Sequence, residues 1–158
     1  MKNKYNILII SDSHGKKDYI DVLVNNSFYD YIFYLGDGAD RDLGINIYDT
    51  KFKIVKGNCD NYFSDIALGE SVYLNGLKIF LTHGHEYGVK YGIENILAFA
   101  IKNNYKIVCF GHTHKQYYQQ VNGIHLINSG ALKNGDYAEL KIIDNNIKVE
   151  FKNIFNNK

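Results

Sequence analysis

Proline and tryptophan are absent from this sequence, arginine occurs once and cysteine twice. Without proline, no turn can be read from a residue of fixed φ, so glycine, asparagine and aspartate carry that signal. The two cysteines, Cys59 and Cys109, stand far apart and form no CxxC pair. Neither a disulfide framework nor a thiolate zinc knuckle is therefore expected, and lone thiols suit a reducing cytoplasm. Long hydrophobic runs near the start are missing as well. The first, Ile7 to Ile10, has four residues, too few for a signal core or a membrane span. An excess of either charge is also lacking: Lys+Arg is 18 and Asp+Glu is 17, a net charge of +1. That balance argues against stable nucleic-acid binding and leaves room for a local anion site.

What is present is a series of short apolar runs, each closed by polar turn residues. A chain of 158 residues fits one domain, expected to span 1–158, and can bury a core without staples. Strands are expected at Asn6–Ile10, Tyr31–Leu35, Phe52–Val55, Leu77–Thr82, Ile107–Phe110 and Ile124–Ile127. Hairpin partners are expected at Val72–Asn75, Gln116–Val121, Tyr137–Ile143 and Ile147–Phe151, around turns such as Asn75-Gly76 and Asn122-Gly123. Helical spacing appears in Asp18–Asn26 and Tyr91–Asn103. Strands alternating with helices, then hairpins, imply an α/β (α+β) fold: a mixed sheet or two packed sheets with helices outside. In such folds ligands bind beyond the carboxyl ends of the strands.

The polar clusters lie at those ends. Asp12 and His14 follow the first run, Asp37 the second, Asn58 the third. His83 and His85, then His112 and His114, follow two later ones. A lone Asp or His at such a place is ordinarily a turn residue. Five strand ends delivering ligand-type side chains to one edge is a metal-site pattern. One ion takes about four to six donors, whereas seven good ones are available, so two divalent ions are expected. Carboxylate and imidazole donors without thiolate suit Mn2+, the first choice, or Fe2+, Co2+, Ni2+ and Zn2+. Two such ions with two Asp ligands leave a positive site, fit to attract a phosphate ester.

The ordered set Asp12-x-His14, Gly36-Asp37, Gly57-Asn58-x-Asp60, His83-Gly84-His85 and Gly111-His112-Thr113-His114 resembles that of the calcineurin-like metallophosphoesterases. The length and the Gly57-Asn58-Cys59-Asp60 form look like the small YfcE-like phosphodiesterase branch. The resemblance implies a β-sandwich of two mixed sheets flanked by helices. It implies that Asp12, His14 and His114 bind one metal and that Asn58, His83 and His112 bind the other, with Asp37 bridging. Asp37, Asn58 and His83 count as the catalytic members. The implied reaction is in-line attack on a small phosphodiester by a metal-bridging hydroxide.

Two positions depart from the pattern. Many relatives carry His where this chain has Cys59, and a neutral thiol is a poor aid to a departing alkoxide. Asn128-Ser129-Gly130 stands where relatives commonly have Asn-Pro-Gly. Among weaker candidates, His85 could orient His83 or meet the phosphate. Asp60 is expected to hold the Asn58 loop in shape. Arg41 could fork onto a phosphate, but it lies between Asp40 and Asp42, where an ion pair is the expected role. The alternative to an enzyme is a non-catalytic, metal-binding scaffold like the retromer subunit of the same superfamily. The sequence leaves homo-oligomerisation open.

Overall fold

The computed structural model describes residues 2–61 and 64–156. Ten strands and two α-helices follow in the order β1 (Lys4–Ile10), α1 (Lys17–Asn26), β2 (Tyr31–Tyr34), β3 (Phe52–Ile54), β4 (Gly69–Leu74), β5 (Leu77–Thr82), α2 (Glu94–Lys102), β6 (Ile107–Phe110), β7 (Gln116–Val121), β8 (Ile124–Ser129), β9 (Asp136–Ile143) and β10 (Asn146–Asn153). They form two five-stranded mixed sheets, ordered β10-β9-β1-β2-β3 and β4-β5-β6-β8-β7. The expected sandwich is therefore present.

Period-two alternation builds it. Ile7 and Ile9 of β1 point into the layer between the sheets, against Ile79, Leu81, Ile107 and Cys109 of the other sheet. Leu8 and Ile10 point to the opposite face, where Ile20 and Leu23 of α1 cover them. On the second sheet Val108 and Phe110 face outward onto Ile96 and Ala100 of α2. Strands covered on both faces read as unbroken apolar runs, which is why β1 and β6 show no polar alternation. Neither helix has a side-chain N-cap bond. Helices of this length are marginal alone. Burial of Ile20 and Ile96, each 0% exposed, contributes about 2 kcal/mol apiece to docking them.

Three 3-10 turns, Gly44–Tyr48, His85–Tyr87 and Leu132–Asn134, were not expected. They are too short to show a helical period. The second helix begins at Glu94 rather than Tyr91 because Gly92, with φ +148, interrupts the spiral before it.

Strands β1, β2 and β3 run parallel, as do β5, β6 and β8. Their carboxyl ends carry the polar loops of both sheets to one end of the sandwich. Backbone bonds stitch the loops together there: Asp12 N–H to the Gly36 carbonyl at 2.8 Å, and Gly111 N–H to the His83 carbonyl at 3.0 Å.

Candidate metal centre

Six of the seven expected donors converge. Asp12 Oδ1 lies 3.2 Å from His114 Nε2, 3.6 Å from His14 Nε2 and 3.7 Å from His83 Nε2. Asp37 Oδ2 lies 3.2 Å from His83 Nε2 and 3.7 Å from His14 Nε2, so one oxygen faces both halves of the cluster. His112 Nδ1 lies 3.2 Å from His83 Nε2. Three triads that could each hold an ion emerge among the described residues, Asp12-His14-His114, Asp37-His83-His112 and His14-Asp37-Cys59, the last sharing members with the other two. Asn58 lies on an exposed loop next to Cys59, and its amide donates to Cys59 Sγ at 3.6 Å.

The donor atoms face inward because their far sides are tied down. His83 Nδ1–H donates to the Leu35 carbonyl at 2.7 Å, which leaves Nε2 with its lone pair for the cluster. Asp12 Oδ2 accepts from Ser11 Oγ at 2.5 Å and from the His112 N–H at 3.1 Å. Asp37 Oδ1 accepts from the Cys59 N–H at 2.9 Å. The inner atoms Asp12 Oδ1 and His14 Nε2 are buried with no hydrogen-bond partner. Asp12 is 0% exposed, and an uncompensated buried carboxylate oxygen costs several kcal/mol. A cation placed among these lone pairs removes that cost, so the donor set fits divalent metal ions.

Uncommon backbone marks the same residues. Of the nine non-glycine residues with positive φ among the described residues, five are Asp12, His14, Asp37, His112 and His114. Few non-glycine residues adopt this region, and their concentration at one site is characteristic of functional loops. Three polar side chains brace these loops. Asp60 accepts four backbone N–H bonds, from Asp37, Gly38, Ala39 and Gly57, at 2.7 to 3.0 Å. Asp42 accepts from Ser13 Oγ and the Gly15 N–H, pinning the Asp12–His14 loop. Asn128 donates to the Gly111 carbonyl and to Thr113 Oγ1, both at 2.9 Å, beneath the His112–His114 loop. A Cβ on Gly57 would lie 2.1 Å from Asp37 Oδ1, so only glycine lets these two loops meet.

Electrostatics follow the geometry. Burial alone would raise the Asp37 pKa, but hydrogen bonding and charge from His83 hold it well below the usual carboxylate range. Burial pulls His83 down, yet Asp37 and Asp12 more than offset this and its pKa ends above the ordinary imidazole value. His112 is pushed down to about 4 by burial, then by the charges of His83 and Lys90. Burial and the neighbouring Asp37 raise the Cys59 thiol, which stays protonated at neutral pH. One side of the cluster is open: the side chains of His14 and His114 are 26% and 31% exposed, and Cys59 is exposed.

Several expectations need adjusting. His85 does not orient His83, because the Leu35 carbonyl does; its ring stacks at a tilt 5.5 Å away and its Nδ1 is buried without a partner. Arg41 forms the expected ion pair, with Asp42 at 3.0 Å. Asp60 does more than shape its own loop, since it clamps the Asp37 loop as well. Asp42 was not singled out by sequence; an acidic residue four positions from a turn carries no mark of what it will accept.

A model of the calcineurin-like phosphoesterase superfamily domain matches residues 5–143. Phosphodiesterase YfcE of Escherichia coli strain K12 is 32% identical over 103 residues, covering 59% of this chain and 52% of that protein, so the match spans about half its length. A conserved protein of Streptococcus pneumoniae TIGR4, described as a predicted phosphoesterase, superposes with a TM-score of 0.85 at 25% identity, covering 97% of this chain and 91% of that one. Vacuolar Protein Sorting 29 from Cryptosporidium parvum shares the fold at a TM-score of 0.74 and 17% identity, over 96% of this chain and 98% of its own.

Proposed function

The chain belongs to the calcineurin-like phosphoesterase superfamily, and we propose that within it the protein is a dinuclear metal-dependent phosphodiesterase acting on small phosphodiesters. One observation carries this reading: Asp12 Oδ1 and His14 Nε2 are buried and unpartnered amid further inward-facing donors. Asp12, His14 and His114 would hold one ion and Asn58, His83 and His112 the other, with Asp37, whose Oδ2 lies 3.7 Å from His14 Nε2 and 3.2 Å from His83 Nε2, shared between the two groups. Mn2+ is the favoured metal, with Fe2+, Co2+, Ni2+ and Zn2+ as alternatives. Two bound ions supply a water activated at neutral pH and polarise the phosphoryl oxygens.

The chain's own groups set the rest. The Leu35 carbonyl fixes the His83 tautomer. The Cys59 N–H steadies Asp37, and its protonated thiol is exposed beside His14 and Asp37. A thiol is a weak proton donor, so the enzyme favours good leaving groups. This chemistry resides in one domain over 1–158 acting in the cytoplasm, with a small phosphate ester as its partner. No helix among the described residues is long and apolar enough to cross a membrane. The scaffold alternative is not favoured, since each of the seven ligand positions keeps a competent donor.

His83→Ala tests the assignment with bis(p-nitrophenyl) phosphate. The variant is expected to lose several orders of magnitude in turnover while keeping its fold by circular dichroism. Turnover near that of the wild type refutes the site.

A further inference from the structure

The triad His14-Asp37-Cys59 brings a sulfur to a centre otherwise made of carboxylate, amide and imidazole donors. A His14 ring nitrogen, an Asp37 carboxylate oxygen and Cys59 Sγ lie within 4.8 Å of one another. Two further observations place this sulfur beside the space where an ion would sit. His14 Nε2 is buried with no hydrogen-bond partner, and so is Asp12 Oδ1, 3.6 Å from it on a residue that is 0% exposed. The thiol therefore flanks orphaned donor atoms rather than a satisfied wall. Its backbone is fixed, since the Cys59 N–H donates to Asp37 Oδ1 at 2.9 Å. Its side chain is exposed and turns about a single bond. The sulfur accepts from the Asn58 amide at 3.6 Å, a weak contact that a metal ion outcompetes. The other cysteine, Cys109, is 0% exposed in the layer between the sheets and cannot take this part.

Donors on one tetrahedral ion stand roughly 3.5 Å apart, given bonds of about 2.1 Å to nitrogen or oxygen and about 2.3 Å to sulfur. Asp37 Oδ2 is already 3.7 Å from His14 Nε2, so a small turn of the Cys59 side chain completes the set. Sulfur is a soft donor. Thiolate suits Zn2+, whereas Mn2+ favours carboxylate, carbonyl and water. Co2+ substitutes for Zn2+ and, unlike it, absorbs light. From this geometry we infer that Cys59 is a conditional metal ligand: its sulfur joins His14 and Asp37 on a thiophilic ion such as Zn2+ or Co2+ and stays off Mn2+. On joining, the S–H bond breaks, the sulfur donates the electron pair to the ion and the proton leaves to solvent. A sulfur bound there fills a position that an open catalytic ion keeps for water, so the contact that retains Zn2+ also sets it against turnover. The inference rests on the metal centre proposed for the phosphodiesterase and adds which ions that centre retains.

The test uses the metal-free full chain and reads absorption and thiol reactivity, neither of which needs turnover. Co2+ titrated into wild type is expected to give a near-ultraviolet sulfur-to-cobalt charge-transfer band beside the visible cobalt bands. Cys59→Ser should lose the first and keep the second. Zn2+ should slow the reaction of the thiol with dithiobis(nitrobenzoate) about tenfold or more, and Mn2+ by less than about twofold, each at a loading confirmed by metal analysis. The thiol assay is read on wild type alone, so it decides even where Cys59→Ser binds cobalt too weakly. Absence of the charge-transfer band from cobalt-loaded wild type overturns the inference, as does a band that survives in Cys59→Ser or equal protection of the thiol by Mn2+ and Zn2+. Turnover of bis(p-nitrophenyl) phosphate by Mn2+-loaded wild type separates the two readings. Turnover without the band sinks the Cys59 ligand alone, and the band without turnover sinks the phosphodiesterase alone.

Discussion

At the scale of single residues, the site is a set of lone pairs aimed at one another. Cys59 is where this set departs most from its resemblance. Its thiol is exposed and its pKa is raised by burial and by Asp37, so it holds its proton rather than lending it. Cys59→His is expected to speed hydrolysis of an unactivated dialkyl phosphodiester by about tenfold or more, short of the roughly hundredfold that a well-placed general acid contributes. An assay in which the variant is no faster than wild type contradicts the role given to this position. His83 contributes to the pH behaviour of metal loading. Its pKa lies above the ordinary imidazole value because Asp37 and Asp12 favour the charged form, so near neutrality a proton competes with the metal for Nε2. As pH rises through that pKa the proton leaves and affinity climbs; as pH falls it is lost. His112, pushed down to about 4, is already neutral there and adds nothing to the slope. Mn2+ titrations at pH 6, 7 and 8 should show tighter binding at each step, with proton release. A flat series counts against the assignment of His83.

At the scale of elements, the loops matter more than the strands. Strand positions were legible because Ile, Val, Phe and Tyr recur in runs bounded by Gly, Asn and Asp. The expected Asn6–Ile10 starts two residues inside the observed strand and ends with it, and Ile107–Phe110 coincides with β6. Three short 3-10 turns and the late start of α2 were not legible, since one turn has no period and Gly92 acts through its φ rather than through any pattern. The loop braces were legible only in part. Asp60 could be given a local role, but its bonds to Asp37, Gly38 and Ala39 join segments more than twenty residues apart. With the bond from the Gly57 N–H, these charge-assisted bonds make Asp60 the clamp between the second and third loops. Asp60→Ala should lower stability by roughly 3 kcal/mol, since water can replace only some of what is lost. It should also weaken Mn2+ binding about tenfold or more, because Asp37 sits in the freed loop. Urea unfolding and a Mn2+ titration check the two effects, and a variant unchanged in both removes the clamp from the account.

At the scale of the whole molecule, two sheets bring the carboxyl ends of their parallel strands to one end, and residues from Asp12 to His114 meet there. The ordered motifs made this meeting legible before any fold was known, because no structural need of a sandwich calls for Asp, Asn and His at five strand ends. The central claim is that the clustered donors bind two ions that the reaction requires. Its most direct test is to strip the protein with chelator and follow hydrolysis of bis(p-nitrophenyl) phosphate as Mn2+ is returned in counted equivalents. The account predicts no activity in the stripped protein and a rise that saturates at two equivalents per chain. Activity that survives stripping, or none with Mn2+, Fe2+, Co2+, Ni2+ or Zn2+ at any loading, would contradict it.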